Sequence, residues 1–144
     1  MEETSAEAVE KVELSEGSEH VIKMLNSGDG GQMIFEPAVI KVSVGDTIHF
    51  KATDAAHNSV SVDGMVPSGA ASWASQLSQD ISITLDKEGV YVYQCDPHLI
   101  MAMVGVIQVG EAVNMDEIKS AASSYSANFL MNNDRLQTYL NLSL

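Results

Sequence analysis

A single cysteine occurs in the 144 residues, so no internal disulfide can form and cysteine pairing says nothing about the redox compartment. Cations are also scarce. Seven Lys and Arg stand against 20 Asp and Glu, a formal charge of −13 with histidine neutral. Too few positive side chains are present to build a phosphate-binding patch, which excludes nucleic acid as a partner. The same shortage argues against an anionic membrane surface, whereas a cationic partner or simple solubility fits. No apolar run approaches the roughly 18–20 residues needed to span a bilayer. No basic segment followed by an apolar one opens the sequence either, so an exported protein of this sequence is expected in its mature form. Internal repeats are missing.

What is present fits one domain, since a chain of this length at 45% hydrophobic residues can build one sizeable core. Residues 1–18, rich in Glu and without an aromatic, read as an acidic disordered tail. A helix around 6–14 within it would be marginal in isolation. From residue 19 to 110 the pattern is that of short strands and turns. Ile40, Val42 and Val44 alternate with polar neighbours, as do Ile48, Phe50 and Ala52 after the Gly45-Asp46 turn. Ile81, Ile83 and Leu85 precede a second turn at 86–89, after which Tyr91, Tyr93 and Cys95 share one face; the last strand is Val104–Val109. Strands this short, with turns this frequent, indicate an all-β sandwich. Two Gly/Ser/Ala-rich stretches, 27–33 and 63–76, read as loops. Beyond Gly110 the period changes to helical over 111–144. Asn114 is placed to cap a first helix with Glu117 as its capping-box partner, and a second helix around 129–142 presents Phe129, Leu136, Tyr139 and Leu140 to the sandwich.

The chemistry concentrates in Cys95-Asp96-Pro97-His98-Leu99-Ile100-Met101-Ala102-Met103. A thiolate, an imidazole and a thioether lie within nine residues, between the end of one strand and the start of the next. One tight loop can aim all three at a point. With one imidazole from elsewhere they make a trigonal His₂Cys set with a weak axial Met, the donor set of a blue-copper centre. Three histidines remain. His49 falls on the outward, solvent-exposed side of its strand, and His20 sits where the tail meets the first strand with no defined direction. His57 follows the end of a strand and can face the loop, so it is the reading adopted. Either Met101 or Met103 can supply the thioether, and a Met is by default flexible core filler.

These residues resemble the cupredoxins. The run 91–98 resembles that family's Tyr-x-x-x-Cys-x-Pro-His pattern, 44–50 its Gly-Asp-Thr strand turn, and His57-Asn58 its ligand step. Within cupredoxins the similarity points to pseudoazurins, through Met24-Leu25-Asn26, residues 33–38, Pro67-Ser68-Gly69-Ala70, residues 98–103 and the helix start at 114–118. It spans roughly residues 20–142. The resemblance implies an eight-stranded Greek-key β-sandwich with two C-terminal helices. It also implies one copper ion cycling between Cu(I) and Cu(II), held by His57, Cys95, His98 and, rather than Met101, Met103. Asn58 matches a residue whose backbone N–H donates to the ligand sulfur, and Met33 a residue close to the exposed histidine ligand.

The implied function is soluble one-electron transfer between redox proteins, not catalysis, in a periplasmic or otherwise exported monomer. Copper storage or delivery is the alternative. One feature departs from the pattern. Pseudoazurins tend to ring the copper end with lysines, yet stretches 27–36, 54–76 and 94–103 hold no Lys or Arg and do hold Asp29, Glu36, Asp54, Asp63 and Asp96. The expected partner, a cytochrome or copper reductase, is therefore one with a basic docking face.

Overall fold

A computed structural model describes residues 14–142; the helix expected around 6–14 and most of the acidic tail fall outside the described residues. Eight strands form two four-stranded sheets: β1 (Glu19–Gly28), β2 (Gly31–Glu36), β3 (Val39–Val42), β4 (Thr47–Lys51), β5 (Val60–Ser61), β6 (Ile81–Thr84), β7 (Gly89–Gln94) and β8 (Val104–Val109). One sheet has the order β2-β1-β4-β6 and the other β3-β8-β7-β5, with β1·β4 and β3·β8 parallel and the remaining pairs antiparallel. Helices α1 (Met115–Tyr125) and α2 (Arg135–Leu140) complete the chain.

The two-residue period read from the sequence explains the layering. Ile22 and Met24 of β1, Ile48 and Phe50 of β4, and Tyr91 and Tyr93 of β7 enter one core between the sheets, and Cys95 belongs to it. Val90 and Val92 of β7, with Val104 and Val106 of β8, point the other way into a second core closed by Ile118, Ala122, Leu136 and Leu140 of the helices. Strand β7 is thus apolar on both faces, and each fully buried side chain contributes about 1.5–3 kcal/mol of transfer free energy. Gly105 lies opposite Tyr93 in the β7–β8 register, and a Cβ there would collide with the tyrosine ring. That close approach lets Tyr93 lie across β8 and fixes the register in which Cys95 leaves the strand.

Several expectations need correction. Stretch 27–33 is not a loop: β1 and β2 form a hairpin turned by Asp29-Gly30, with Gly28 opposite Gly31. Residues 14–18 of the expected tail run beside the sheets, since the Ser15 N–H donates to the Lys41 carbonyl (2.8 Å) and the Thr47 N–H to the Ser18 carbonyl (2.8 Å). Asn114 does stand at the N-terminus of α1, but its side chain makes no cap. Instead its Oδ1 accepts from the Val90 N–H (2.7 Å) and its Nδ2 donates to the Val90 carbonyl (3.0 Å), which rivets the helix start to β7. The second helix begins at Arg135, six residues later than expected from 129, because Phe129 is extended (φ −85°) and Asn132 is left-handed (φ 57°).

Candidate metal centre

Cys95 leaves β7 and its N–H donates to the Met103 carbonyl (3.0 Å), which closes the base of the intervening loop. Inside the loop Asp96–Met101 forms a 3₁₀ turn with Pro97 in its first positions, where a missing N–H costs nothing. The His98 N–H donates to the Cys95 carbonyl (3.2 Å) and the Met103 N–H to the His98 carbonyl (3.2 Å). His57 arrives from the segment after β4. Its Nδ1 lies 3.6 Å from Cys95 Sγ, and His98 Nδ1 lies 3.4 Å from the same sulfur. The two ring centroids are 4.7 Å apart, and the three donor atoms all fall within 4.8 Å of one another. His57 and Cys95 are fully buried, while His98 is half-buried and offers an edge toward solvent.

The buried imidazole and the cysteine loop are each held by a neighbour. The Nε2–H of His57 donates to Asn26 Oδ1 (2.7 Å), so Nδ1 keeps its lone pair toward the sulfur. Asn58 Oδ1 accepts from the Asp96 N–H (2.8 Å), tying the His57 segment to the Cys95 loop. Burial pushes the Cys95 thiol up, against the backbone N–H groups of Asn58 and His98, which favour the thiolate. Burial, followed by repulsion from His98, pulls the His57 imidazole below its ordinary value, with Asp54 opposing weakly. A neutral imidazole is the ligating form, and both the shift and the tautomer favour it.

The separations fit one ion. Metal–nitrogen bonds of about 2.0 Å and metal–sulfur bonds of about 2.3 Å, meeting near the tetrahedral angle, place N and S about 3.5 Å apart. The observed 3.4 and 3.6 Å match that spacing. A thiolate with two imidazoles is the equatorial donor set that suits copper. Met103 is fully buried in the same core cluster as Cys95, whereas Met101 is only half-buried.

The other candidates lie elsewhere. His20 is buried and its Nε2 sits 2.8 Å from Asp46 Oδ2. His49 faces outward as its alternation requires, yet it is held rather than free, by Glu19 Oε1 and Ser82 Oγ, both at 2.7 Å. Sequence reasoning assigned no role to Asn26 or Arg135. Arg135 lies outside the cation-free stretches 27–36, 54–76 and 94–103, but its guanidinium donates to the carbonyls of Gln32, Met33, Met101 and Ala102 at 3.0–3.4 Å. No local pattern marks either residue, because the partners are 31 and up to 103 positions away.

Comparison with known proteins agrees with this centre. The family model for copper binding proteins of the plastocyanin/azurin family matches residues 22–110. Pseudoazurin of Methylorubrum extorquens is 42% identical over 105 residues, covering 73% of this chain and 70% of that protein. Pseudoazurin of Paracoccus pantotrophus is 40% identical over 103 residues, with 71% of each covered. A solved pseudoazurin from Sinorhizobium superposes with a TM-score of 0.71 at 37% identity, covering 84% of this chain and 98% of that one. The chain therefore belongs to the plastocyanin/azurin family of copper binding proteins, as a relative of the pseudoazurins.

Proposed function

We propose that His57, Cys95, His98 and Met103 hold one copper ion, and that the protein carries single electrons between redox proteins rather than catalysing a reaction. The observation that carries this reading is the buried cluster in which two imidazole Nδ1 atoms face one thiol sulfur at 3.4 and 3.6 Å. Bound copper supplies a one-electron Cu(II)/Cu(I) couple. The protein's part is to hold the donors in place. Asn26 fixes the His57 ring, the Asn58 and His98 N–H groups stabilise negative charge on sulfur, and the two-sheet core excludes water behind Cys95. A preset donor frame needs little rearrangement when an electron moves. The half-exposed His98 edge, beside Pro97 and Ile100, is the exit. Use of His20 and His49 in other contacts supports a carrier over a multicopper enzyme, which needs further convergent imidazoles.

Met103 is favoured as the axial ligand because its carbonyl pairs with the Cys95 N–H, and paired residues direct side chains to the same side. Met103→Gln should keep copper but shift the spectrum and lower the potential, while Met101→Leu changes either only slightly. Equal or reversed effects would move the axial role to Met101. The partner is a redox protein with a basic docking face, met in the periplasm, since the stretches around the site carry carboxylates and no cations of their own. Electron transfer to a lysine-rich cytochrome should slow as salt is raised, because screening beyond about 8 Å at physiological ionic strength removes the steering. Transfer to an acidic reductase should do the reverse; fastest reaction with that reductase at low salt would falsify the basic-partner reading.

A further inference from the structure

We propose that Arg135 is a positioning residue for the copper centre, fixing the turn at Ala102 that delivers Met103 to the thiolate; this rests on Met103 being the axial ligand. The Arg135 guanidinium reaches two chain segments at once. Nη1 donates to the carbonyls of Met33 (3.0 Å), Ala102 (3.2 Å) and Met101 (3.4 Å), and Nη2 to that of Gln32 (3.2 Å). A planar, permanently charged fork suits several carbonyls where a lysine satisfies fewer.

Two of the four carbonyls it grips belong to strained backbone. Met33 (φ 51°) and Ala102 (φ 60°) are both left-handed without being glycine, a conformation that persists only where the surroundings enforce it. Gly31 makes room for the clamp, since a Cβ there would come within 3.3 Å of Arg135 Nη2. Ala102 immediately precedes Met103, so the direction of its carbonyl sets the direction in which the chain re-enters β8. Neighbours reinforce the grip. Asn132 Nδ2 donates to the Met101 carbonyl (3.1 Å), and the Leu130 and Met131 N–H groups to that of Ile100 (2.7 and 3.2 Å). The far side of the ligand loop is therefore backed by residues 130–135, and Arg135 is the cationic member of that backing. The same guanidinium joins the loop to the β1–β2 hairpin, which also carries Asn26, the anchor of His57. One side chain thus references the thioether and the buried imidazole to a common frame.

The test uses R135Q and R135K in the full chain, metal-free and copper-loaded. In metal-free R135Q, amide exchange at Ala102 and Met103 should accelerate about tenfold or more, the scale of losing a charged hydrogen bond. In the loaded protein, Cu(II) release to a chelator should quicken about tenfold, and the reduction potential and visible spectrum should shift. R135K should fall between parent and R135Q, and it carries the same test alone if R135Q does not fold. In a Met103→Leu background R135Q should shift the potential no further. A lower melting temperature with exchange, potential and spectrum at parental values overturns the proposal, because a purely structural tie predicts that. If Met103→Leu alone left spectrum and potential unchanged, the axial assignment would fall. Accelerated exchange and a shifted potential in R135Q would still place Arg135 as the positioning residue of the loop.

Discussion

Two buried histidines sit at opposite ends of the parallel β1–β4 pair, and they differ in one partner. His20, at the start of β1, sets Nε2 2.8 Å from the carboxylate of Asp46. His57, beyond the far end of β4, sets Nε2 2.7 Å from the amide oxygen of Asn26, near the other end of β1. A carboxylate partner makes a staple between the start of β1 and the turn before β4. An amide partner fixes the tautomer without adding charge, and leaves the other nitrogen basic toward the sulfur. Burial and imidazole chemistry are shared; what occupies the second nitrogen decides whether the residue holds the fold or offers a ligand.

Single substitutions at the two ends break the comparison most sharply. Cys95→Ser should abolish the thiolate-to-copper absorption altogether. His57→Ala should open a coordination position that added imidazole refills, with visible colour returning. His20→Ala should leave the copper spectrum at its parental form and cost about 2 kcal/mol of stability, the scale of a buried carboxylate losing its hydrogen-bonded partner. Bleaching by His20→Ala would dissolve the distinction. Next in size, Asn26→Ala should weaken copper binding about tenfold or more while keeping the colour. Asn26→Asp gives His57 the kind of partner His20 has, and the added negative charge should lower the reduction potential; a raised potential would show that the partner's charge is not the controlling difference.

A smaller, pH-dependent effect belongs to the other end. Burial alone would raise the Asp46 carboxyl, but hydrogen bonds from His20 and the Ser43 N–H, with the charge of His20, outweigh it and hold the group below its usual value. A carboxylate with a depressed native pKa stabilises the fold above its unfolded value, near 3.9, and loses that contribution as pH falls through the native one. Asp46→Asn should therefore lower the melting temperature at neutral pH, and the gap to the parent should close below about pH 4. A gap constant from pH 7 down to 3 would show that the charge contributes nothing. Smallest of all, His49→Ala should alter stability by less than about 0.5 kcal/mol and leave the spectrum alone, since its partner Glu19 is exposed.

The strands were legible where one face is apolar and the other polar, as in β3, β4 and β6, and where Tyr91, Tyr93 and Cys95 alternate in β7. The donor cluster was legible because three of its proposed members share one short loop and the fourth follows a strand end. What escaped was long-range or competed for. The β1–β2 hairpin was hidden because Asn26, Ser27, Gly31 and Gln32 beside its Asp29-Gly30 turn show no apolar alternation, without which the Asp-Gly turn signal does not mark two strands. Asn114 has the residue type of a cap, and only tertiary structure shows that the Val90 backbone claims its side chain instead. Asn26 and Arg135 act across 31 and about a hundred positions, a distance at which spacing carries no information.

The central claim is that this cluster holds copper through a complete electron cycle. One equivalent of Cu(II) added to the protein, followed by repeated reduction and reoxidation beside a Cu(I) chelator, tests it directly in the visible spectrum. The account predicts an intense blue band that saturates at one copper per chain, vanishes on reduction and returns in full at each reoxidation, with no copper in the chelator. A band that never forms would contradict the donor set, and a band that fades as the chelator fills would mark a protein that delivers metal rather than electrons.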